Sequence, residues 1–366
     1  MARPMFIWHT NPRELRPLSL GRHIKSGGSV VQYATPIVTG GLGFIGSAIS
    51  EHLLSHGADV TIVDSLISNV VEPDYLKDRF PQTSVSTLSV EDFFSPDRDL
   101  GRCDVVIHAA SLVGPASLLT YGGQIAPAII CATAKVIDAC IRQQVPLIYF
   151  SSAEIYGKSG KLSESANARV PASYNARIEY ALGKLASEAM IRNSLARGLR
   201  AVVIRPFNVV GPRQSRAGGF VMPTFVQQAL EGQPLTIFGS GDQQRAFTSV
   251  TDIVDFVVRY SPRAFESGVA TVNLGNPHNG ITIRALAERV ISLLKSRSKL
   301  TFTDGATVYG PSYFEAESFL KLPDIALATS LGWSPAKHLD QIILDTADFY
   351  RAHRDARGAD ARLAAA

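Results

Sequence analysis

The sequence has 366 residues, of which 46% are apolar and 19% charged, and its net charge is +4. This length suits one large domain or two unequal ones, and so slight a charge gives no reason to expect a nucleic-acid partner. No apolar run approaches the ~18 residues of a membrane helix, so no membrane partner is expected. Cys103, Cys131 and Cys140 lack metal-binding spacing. Together with the scattered histidines, they predict no metal site and a reduced, cytoplasmic protein.

The first predicted unit is a buried strand, a glycine turn and an amphipathic helix. Gly40, Gly43 and Gly46 follow the strand at three-residue spacing, and an apolar face that starts at Ile45 continues along the helix. One glycine makes the tight turn, one lets backbone N–H groups approach a pyrophosphate, and one lets the helix pack close to the strand. The helix N-terminus, at Phe44 and Ile45, attracts phosphate. The unit therefore predicts a dinucleotide site.

An acidic residue after the second strand indicates which dinucleotide binds. Residues 60–63 form the predicted strand, and Asp64 follows it, about 20 residues after the glycine turn. A carboxylate there accepts hydrogen bonds from both ribose hydroxyls and repels a 2′-phosphate, which favours NAD over NADP. The alternative is that Asp64 only caps a turn. A polar loop is expected to follow, over residues 65–80.

Further positions complete the predicted cofactor site. Asp92 lies where an acid can reach the adenine amine, with a plain surface acid as the equal alternative. Residues 105–107 form a buried strand that leads to Ala109 and Ala110, and these small side chains let the cofactor lie against the strand end. His108, between them and the strand, is predicted to be packed rather than catalytic.

The alternation of strands and helices from residue 34 to about residue 150 predicts a parallel sheet covered on both faces. We therefore expect an α/β fold, with a doubly wound Rossmann sheet and a smaller C-terminal α/β domain. The expected divisions are an N-terminal arm over 1–33, the NAD-binding domain over 34–205, a second domain mainly over 206–350 with some segments returning to the first, and a tail over 351–366.

The predicted chemistry lies at the end of one strand and on the helix that follows. Residues 147–150 form a strand that delivers Ser152 to its carboxyl end, where ligands bind in parallel sheets. Tyr180 and Lys184 are four residues apart on a predicted helix over 174–195, hence on one face. A tyrosine is a poor base at neutral pH, but a neighbouring ammonium and a positive nicotinamide ring favour the phenolate. Such a phenolate can take a proton from an alcohol while hydride leaves the same carbon, and Ser152 can hold the oxygen.

With these motifs in this order, the chain resembles an extended short-chain dehydrogenase/reductase of the NAD-dependent epimerase/dehydratase family, which acts on nucleotide sugars. The resemblance covers about residues 36–350. It implies that Ser152, Tyr180 and Lys184 are the catalytic triad, that Lys184 contacts the nicotinamide ribose, and that NAD stays bound and is reduced only transiently. Many relatives pair two long helices per subunit into a four-helix bundle, so the resemblance also implies a homodimer.

Segments of the second half resemble the family's nucleotide-sugar signatures. Asn208, within residues 201–214, matches a position that contacts the sugar diphosphate. Arg245 matches the arginine that clamps the pyrophosphate, a task that suits a guanidinium because it donates two parallel hydrogen bonds. Arg213 and Arg216 either meet the carboxylate of a uronic acid or face solvent. The expected substrate is therefore a nucleotide sugar.

The groups near Ser152 bear on the reaction that follows oxidation at C4 of the sugar. The dehydratases of the family carry an Asp-Glu pair there, whereas this chain has Ala153 and only Glu154 remains. We therefore expect an epimerase of a UDP-sugar, in which the 4-ketose turns over and takes hydride back on its other face. One alternative is a decarboxylase or a C5-deprotonating dehydratase that uses Glu154, since Arg177 matches an arginine that decarboxylases carry before the tyrosine. Another is a non-catalytic protein that binds NAD or a sugar nucleotide.

Two positions depart from the family pattern. The asparagine usual in the helix before residue 147 is replaced, with Ile129 or Ile130 at that point. The arginine usual near residues 323–325 is not evident, and Lys321 is a weak substitute. Because both positions bear on the substrate site, we expect an unusual sugar.

Overall fold

The computed structural model describes residues 32–158, 162–166, 168, 175–268, 270–309 and 318–363, with side chains up to residue 353. Residues 1–31 of the predicted arm lie outside these ranges, as does residue 174, the expected start of the catalytic helix. Tyr33, at the end of the predicted arm, is buried, and its hydroxyl lies 2.7 Å from Ser261 Oγ. Residues 351–363 of the predicted tail continue the last helix.

A seven-stranded parallel sheet organises the chain. In spatial order its strands are β11 (Thr271–Leu274), β6 (Ala201–Pro206), β5 (Leu147–Phe150), β4 (Val106–His108), β1 (Ile37–Thr39), β2 (Thr61–Val63) and β3 (Ser84–Ser86). Every neighbouring pair runs parallel. The chain order reverses between β1 and β4, and ligands of such sheets bind at this switch point, outside the carboxyl ends of the strands. The predicted fold class is confirmed.

Helices cover both faces of this sheet. Those of the first half are α1 (Phe44–Ser55), α2 (Pro73–Arg79), α3 (Val90–Phe93), α4 (Pro115–Thr120), α5 (Ile125–Gln143) and α6 (Ala176–Leu195). Helix α1 packs on one face, against Val38 and Ile62, whereas α5 and α6 pack on the other, against Ile37 and Val106. Successive strand residues point to opposite faces, so the apolar run of β1 contributes to both cores.

A second, smaller α/β part is built from short strands. Strand β7 (Val209–Val210) pairs with β10 (Thr248–Ser249), β8 (Leu235–Phe238) with β13 (Leu300–Thr303), and β9 (Gln244–Ala246) with both β12 (Gly280–Thr282) and β14 (Leu320–Lys321). The later helices of the chain are α7 (Val221–Leu230), α8 (Val250–Asp255), α9 (Ser261–Glu266), α10 (Ile283–Leu293), α11 (Ala306–Tyr309), α12 (Ala326–Ser330) and α13 (Leu339–Leu363). Phe225, Leu286 and Ile343, on α7, α10 and α13, share a core of their own. Helices α8, α9 and α12 instead pack into the core that α1 shares, and β11 closes the central sheet.

The segment 65–80, predicted as a polar loop, contains helix α2. Pro73 stands in its first turn, where a missing N–H removes no helical hydrogen bond. Tyr75 and Leu76 are buried against the core that α1 shares. A helix of seven residues spans too few turns to show an apolar period, so it could not be recognised from the spacing of its apolar residues.

Two observations bear on partners. Within the described ranges, no helix is both long enough and apolar enough to span a bilayer. In the same ranges, no group of three or more histidine, cysteine, aspartate or glutamate side chains is placed to hold a metal ion. Cys103, Cys131 and Cys140 are free thiols.

Candidate active site

The glycine turn between β1 and α1 is packed so closely that side chains are excluded from it. Gly40 has a left-handed φ of +64°, and a Cβ built on it would lie 2.7 Å from Ala110 Cα. A Cβ on Gly46 would lie 2.0 Å from the carbonyl oxygen of Gly40. The N-cap of α1 is Gly43, so no side chain occupies the space in front of the first helical turn. Phe44 and Ile45 therefore present their backbone N–H groups where a pyrophosphate is bound in such turns.

Asp64 leaves β2 beside this turn and is 8% exposed. Its carboxylate accepts hydrogen bonds from the backbone N–H of Leu42, at 3.0 Å, and of Leu66, at 2.9 Å. Burial raises its pKa above the ordinary value, while these backbone hydrogen bonds lower it. Asp64 therefore makes the hydrogen bonds that the turn-capping alternative predicts. The N–H of Gly43 bonds to this carboxylate as well, so three of its about four acceptor positions are taken, and one is left for the predicted ribose contact.

Two other parts of the predicted cofactor site, Asp92 and the pair Ala109 and Ala110, lie in different environments. Asp92 is exposed and closes a capping box at the start of α3, in which it accepts a hydrogen bond from Ser89 Oγ at 2.7 Å. These contacts are those of the surface-acid alternative, and the adenine contact stays a prediction. Ala109 and Ala110, by contrast, both bond through their N–H groups to Thr39 at the end of β1, beside the glycine turn.

His108 is packed beneath the site, in agreement with the sequence analysis. It is buried, and its Nδ1 lies 2.7 Å from Thr39 Oγ1. Burial, assisted by the charge of Lys184, lowers the pKa of His108 to about 3. The imidazole is therefore neutral at physiological pH and acts as a spacer between β1 and the catalytic helix.

The structure brings Ser152, Tyr180 and Lys184 together. Ser152 follows β5 and caps a 3₁₀ turn (Ala153–Tyr156), while Tyr180 and Lys184 lie on the buried face of α6. The side chains of Ser152 and Tyr180 are hydrogen-bonded. The amine of Lys184 lies 5.9 Å from the centroid of the Tyr180 ring and donates to the carbonyl oxygen of Phe150 at 2.8 Å. The predicted triad is thus one contiguous group at the carboxyl end of β5.

Burial shifts the pKa values of two members of this triad. Burial raises the pKa of Tyr180, and although the bond to Ser152 lowers it, Glu154 raises it further. Burial also lowers the pKa of Lys184 to about 7, against the opposing effect of Glu188. We expected Lys184 and the nicotinamide ring to favour the phenolate jointly. Of these two cations, Lys184 does not by itself offset the burial of the phenol, because its own charge is buried as well.

Glu154 lies between two cations from distant parts of the chain. Its Oε2 is 3.2 Å from Arg177 Nε, and its Oε1 is 2.7 Å from Lys321 Nζ. Arg245 and Lys321 are register partners in the β9–β14 pair, and the charge of Arg245 acts on Lys321. We call Arg177, Arg245 and Lys321 the cationic cluster. Glu154 pairs directly with two of its members, Arg177 and Lys321, and burial lowers the pKa of Lys321 while the charge of Glu154 raises it.

This arrangement makes Glu154 a poor base. Burial alone would raise the pKa of Glu154, but Arg177 and Lys321 hold it well below its usual range. A carboxylate stabilised in this way is protonated only at low pH, so it is a weak base. The observation weakens the alternative in which Glu154 removes a proton from C5 of the sugar. Lys321, which the sequence analysis treated as a weak substitute, is 4% exposed and forms the shorter of the two ion pairs.

Arg213 does not belong to this site, and the prediction that it binds substrate is wrong. Its side chain is 1% exposed, and its Nη1 lies 2.7 Å from Glu51 Oε2 on α1. A second nitrogen donates to the hydroxyl of Tyr75 on α2 at 3.1 Å, and Arg79 also pairs with Glu51 at 3.0 Å. The Arg213 guanidinium therefore belongs to a buried ion cluster around Glu51, behind the glycine turn. Sequence reasoning could not foresee it, because the direction of a long side chain is set by packing between distant segments.

Asn208 and Arg245 lie where the second part of the chain begins and have polar contacts of their own. Asn208 has a left-handed φ of +35°, and its side-chain amide donates to the carbonyl oxygen of Ala246 at 3.0 Å. Arg245 is buried and donates to the carbonyl oxygen of Gln244 at 2.7 Å. Their predicted contacts with a sugar diphosphate stay predictions.

Sequence reasoning missed a buried polar group behind the triad. Glu188, one helical turn beyond Lys184, forms an ion pair with Arg205 at 2.6 Å. Arg205 also donates to the hydroxyl of Tyr156 at 2.8 Å. Glu188 could have been found from its position, because it continues the four-residue spacing of Tyr180 and Lys184 along α6.

The fold and the site together define an enzyme of the short-chain dehydrogenase type, with a Rossmann sheet and a Ser-Tyr-Lys triad. The model of the NAD dependent epimerase/dehydratase family matches residues 37–275. The chain belongs to this family, whose members are NAD-dependent enzymes of nucleotide-sugar metabolism.

Three similar proteins illustrate the relationship. A protein of Bacillus cytotoxicus named UDP-N-acetyl-alpha-D-glucosaminuronate decarboxylase is 27% identical over 86% of this chain and 97% of its own length. UDP-glucuronic acid decarboxylase 1 of Danio rerio is 28% identical over 86% of this chain and 72% of its own length. Among solved structures, UDP-N-acetylglucosamine 4-epimerase of Methanobrevibacter ruminantium, in complex with UDP-N-acetylmuramic acid, superposes with a TM-score of 0.74 and 26% identity. That match covers 87% of this chain and 98% of the other.

Proposed function

We propose that this protein is an NAD-dependent decarboxylase of a UDP-sugar that carries a carboxylate at C6. The observation that supports this proposal is the cationic cluster beside the triad. A uronic acid places a negative charge two carbons away from C4, where the cations of the cluster can attract it, whereas a neutral sugar has no charge at that point.

The position of the cluster relative to Tyr180 supports this substrate class. Arg177 precedes Tyr180 by three residues on α6, so the two side chains share a face. Glu154 follows Ser152 by two residues in the 3₁₀ turn, and its charge acts on Tyr180. The cluster is therefore next to the point at which the C4 hydroxyl would be held. A carboxylate at C6 of the substrate would be attracted by the guanidinium and ammonium groups of this cluster.

The chemistry that follows balances in atoms and electrons. Tyr180 takes the proton of the C4 hydroxyl, and Ser152 donates a hydrogen bond to the same oxygen. NAD, when bound beside Tyr180 and Lys184, would supply the hydride-transfer chemistry that the oxidation at C4 and the later reduction require. The C5–C6 bond of the resulting β-keto acid breaks, carbon dioxide leaves, and the electron pair moves onto the C4 oxygen, where Ser152 and the protonated Tyr180 stabilise it. C5 then takes up a proton, so the sum is a UDP-uronate and one proton converted to a UDP-pentose and carbon dioxide.

The remaining predicted residues hold the two ligands in this proposal. The cofactor site comprises Gly40, Gly43, Phe44, Ile45, Gly46, Asp64, Asp92, Ala109 and Ala110, with Tyr180 and Lys184 at the nicotinamide end. Asn208 and Arg245 hold the diphosphate of the substrate. The close packing of the glycine turn fits this role, because it leaves backbone N–H groups as the only donors at the helix N-terminus.

The names of similar proteins support the proposed substrate class, since two relatives are named as decarboxylases of UDP-uronates. The second candidate is the 4-epimerase that the sequence analysis put first. Ala153 beside Ser152 favours it, because the triad alone suffices for epimerisation and no acid for loss of water is present. A non-catalytic role is disfavoured, because a protein that only binds NAD or a sugar nucleotide does not require Tyr180 and Lys184 to be buried together at the end of β5.

Product analysis distinguishes these functions. The purified protein with NAD is incubated with UDP-glucuronate, UDP-N-acetylglucosaminuronate, UDP-glucose and UDP-N-acetylglucosamine, and the products are identified by mass spectrometry. We expect loss of carbon dioxide from one of the uronates and no change in the neutral sugars. An isomer of unchanged mass would instead indicate the epimerase. Loss of water would indicate the dehydratase in which Glu154 removes a proton from C5. Tyr180→Phe serves as the control that separates turnover from contamination.

We also propose that the protein is a cytoplasmic homodimer that pairs through α5 and α6. Support comes from the side-by-side packing of these helices, where a Cβ on Gly183 would lie 3.1 Å from Ala126 Cα. Their outer side exposes Leu182 and Cys131. Sedimentation equilibrium would report the mass, and a monomer at micromolar concentration would contradict this proposal.

A further inference from the structure

Three consecutive residues at the end of β5 contact three residues of α6 that are spaced one turn apart. The side chain of Ser152 bonds to Tyr180, and the carbonyl oxygen of Phe150 accepts from Lys184 at 2.8 Å. Between them, Ser151 Oγ donates to Glu188 Oε1 at 2.5 Å. The first two contacts belong to the triad already described, whereas the third places a buried carboxylate directly behind it.

Arg205 holds this carboxylate with two nitrogens. Its Nε lies 3.0 Å from Glu188 Oε1 and its Nη2 lies 2.6 Å from Glu188 Oε2. Both side chains are nearly inaccessible, at 8% and 7% exposure. Such a two-pronged pair fixes both partners in position as well as in charge. It thereby ties helix α6 to strand β6, which carries Arg205.

The third nitrogen of Arg205 reaches the other side of the site. Its Nη1 donates to the hydroxyl of Tyr156 at 2.8 Å, and that hydroxyl donates to Asn273 Oδ1 at 2.7 Å. Asn273 is the register partner of Arg205 in the β6–β11 pair. Tyr156 ends the 3₁₀ turn that carries Glu154. One guanidinium is therefore bonded to the catalytic helix and to the turn that bears the charged residue of the site.

We propose that the Glu188–Arg205 ion pair is a positioning device for catalysis, which holds the helix of Tyr180 and Lys184 and the turn of Glu154 in one fixed relation. Neither residue contacts the reacting atoms. The inference rests on the proposed oxidation at C4, because that step requires Tyr180, with Lys184 beside it, to take the proton of the C4 hydroxyl.

The charge of Glu188 has a second consequence, for Lys184. The groups that face Lys184 are Tyr180 and Glu188 on α6, Tyr149 on β5, whose ring centroid is 5.0 Å from the amine, and His108 on β4. Of these four, only Glu188 bears a carboxylate, and it is ion-paired with Arg205. Since burial lowers the pKa of Lys184 to about 7 and Glu188 opposes this, removal of the Glu188 charge is expected to lower the pKa of Lys184 further. In a variant without the Glu188 charge, Lys184 would therefore lose its proton at a lower pH than in the native protein.

The test compares Glu188→Gln with Glu51→Gln, each of which removes the carboxylate of a buried ion pair. The pair of Glu51 with Arg213 is equally buried but lies outside the site, so its variant controls for lost stability. For Glu188→Gln we expect a fall of about tenfold in kcat with KM for the UDP-sugar unchanged. We also expect the alkaline limb of the pH profile of kcat/KM to move to lower pH. For Glu51→Gln we expect an unchanged pH profile.

Two additions keep the outcome decisive. If Glu188→Gln fails to fold because Arg205 is left buried and unpaired, the double variant Glu188→Met with Arg205→Met removes both charges and should show the same changes. The pKa of Lys184 is also followed by NMR of protein labelled with ¹³C at lysine Cε, with the signal assigned by Lys184→Arg. This titration needs no turnover, so it decides the inference even if no UDP-uronate proves to be a substrate. A Lys184 pKa and a kcat that respond to Glu188→Gln no more than to Glu51→Gln would overturn the proposal.

Discussion

Replacement of Lys321 by methionine should separate recognition of the substrate carboxylate from the rest of the reaction. Lys321 Nζ lies 2.7 Å from Glu154 Oε1, and its side chain is 4% exposed. Methionine retains much of the apolar stem and removes only the charge. Glu154 keeps its ion pair with Arg177 at 3.2 Å and is 27% exposed, so the variant should still fold.

The expected magnitude follows from the contact that is lost. A hydrogen bond to a charged group contributes ~1.5–3 kcal/mol, and each 1.4 kcal/mol corresponds to about tenfold in an equilibrium constant. For Lys321→Met we therefore predict that kcat/KM for the UDP-uronate falls by about 10- to 150-fold. Binding of UDP-glucose, which has no carboxylate, should change by less than about threefold, because it cannot use this contact.

The assay measures initial rates of carbon dioxide release against UDP-uronate concentration, together with calorimetric titration of UDP-glucose. Lys321→Arg keeps the charge and should retain most of the rate. Lys337→Met is the matched control, since Lys337 pairs with Asp345 at 3.1 Å outside the site and is 22% exposed. A folded Lys321→Met enzyme with undiminished kcat/KM for the uronate would refute the reasoning about the cationic cluster.

Two further predictions concern the glycine turn and the ion cluster behind it. In Gly46→Ala the new Cβ would lie 2.0 Å from the carbonyl oxygen of Gly40, so we expect NAD binding to be lost. Gly57→Ala, with nothing within 4 Å of its Cβ but a left-handed φ of +89°, should cost ~1–2 kcal/mol of stability and keep NAD. Fluorescence titration with NAD would show this, and equal affinity of both variants would contradict it. Arg213→Met leaves Glu51 with its ion pair to Arg79 and its hydrogen bond from Tyr75 and should lower the free energy of unfolding by ~2–4 kcal/mol, measured with urea. A raised KM for the UDP-sugar without loss of stability would instead return Arg213 to the substrate site.

Much of the fold and the triad could be predicted because their signals are local. The glycine turn, Asp64 and the four-residue spacing of Tyr180 and Lys184 each lie within one strand–turn–helix unit. For such units, spacing fixes which side chains share a face. The parallel sheet followed from the alternation of buried strands with helices. These elements therefore appear in the structure close to their predicted bounds.

The parts that could not be predicted depend on contacts between distant segments. Glu154 is 167 residues from Lys321, and Arg213 is 138 residues from Tyr75. No spacing rule connects such pairs, and a long arginine side chain can reach several surfaces from one backbone position. The burial that raises the pKa of Tyr180 could not be predicted for a related reason. Its burial depends on how α5, α6 and β5 pack together, whereas the sequence shows only its neighbours along the helix.

The most direct test of the account uses the UDP-uronate that proves active, labelled with ¹³C at C6. The carbon signals are followed by NMR during turnover by the enzyme and by its Tyr180→Phe variant. The account predicts that the label moves from the sugar carboxylate into carbon dioxide and bicarbonate with the native enzyme, and stays on the sugar with the variant. Native turnover that keeps the label on a sugar inverted at C4 would contradict it.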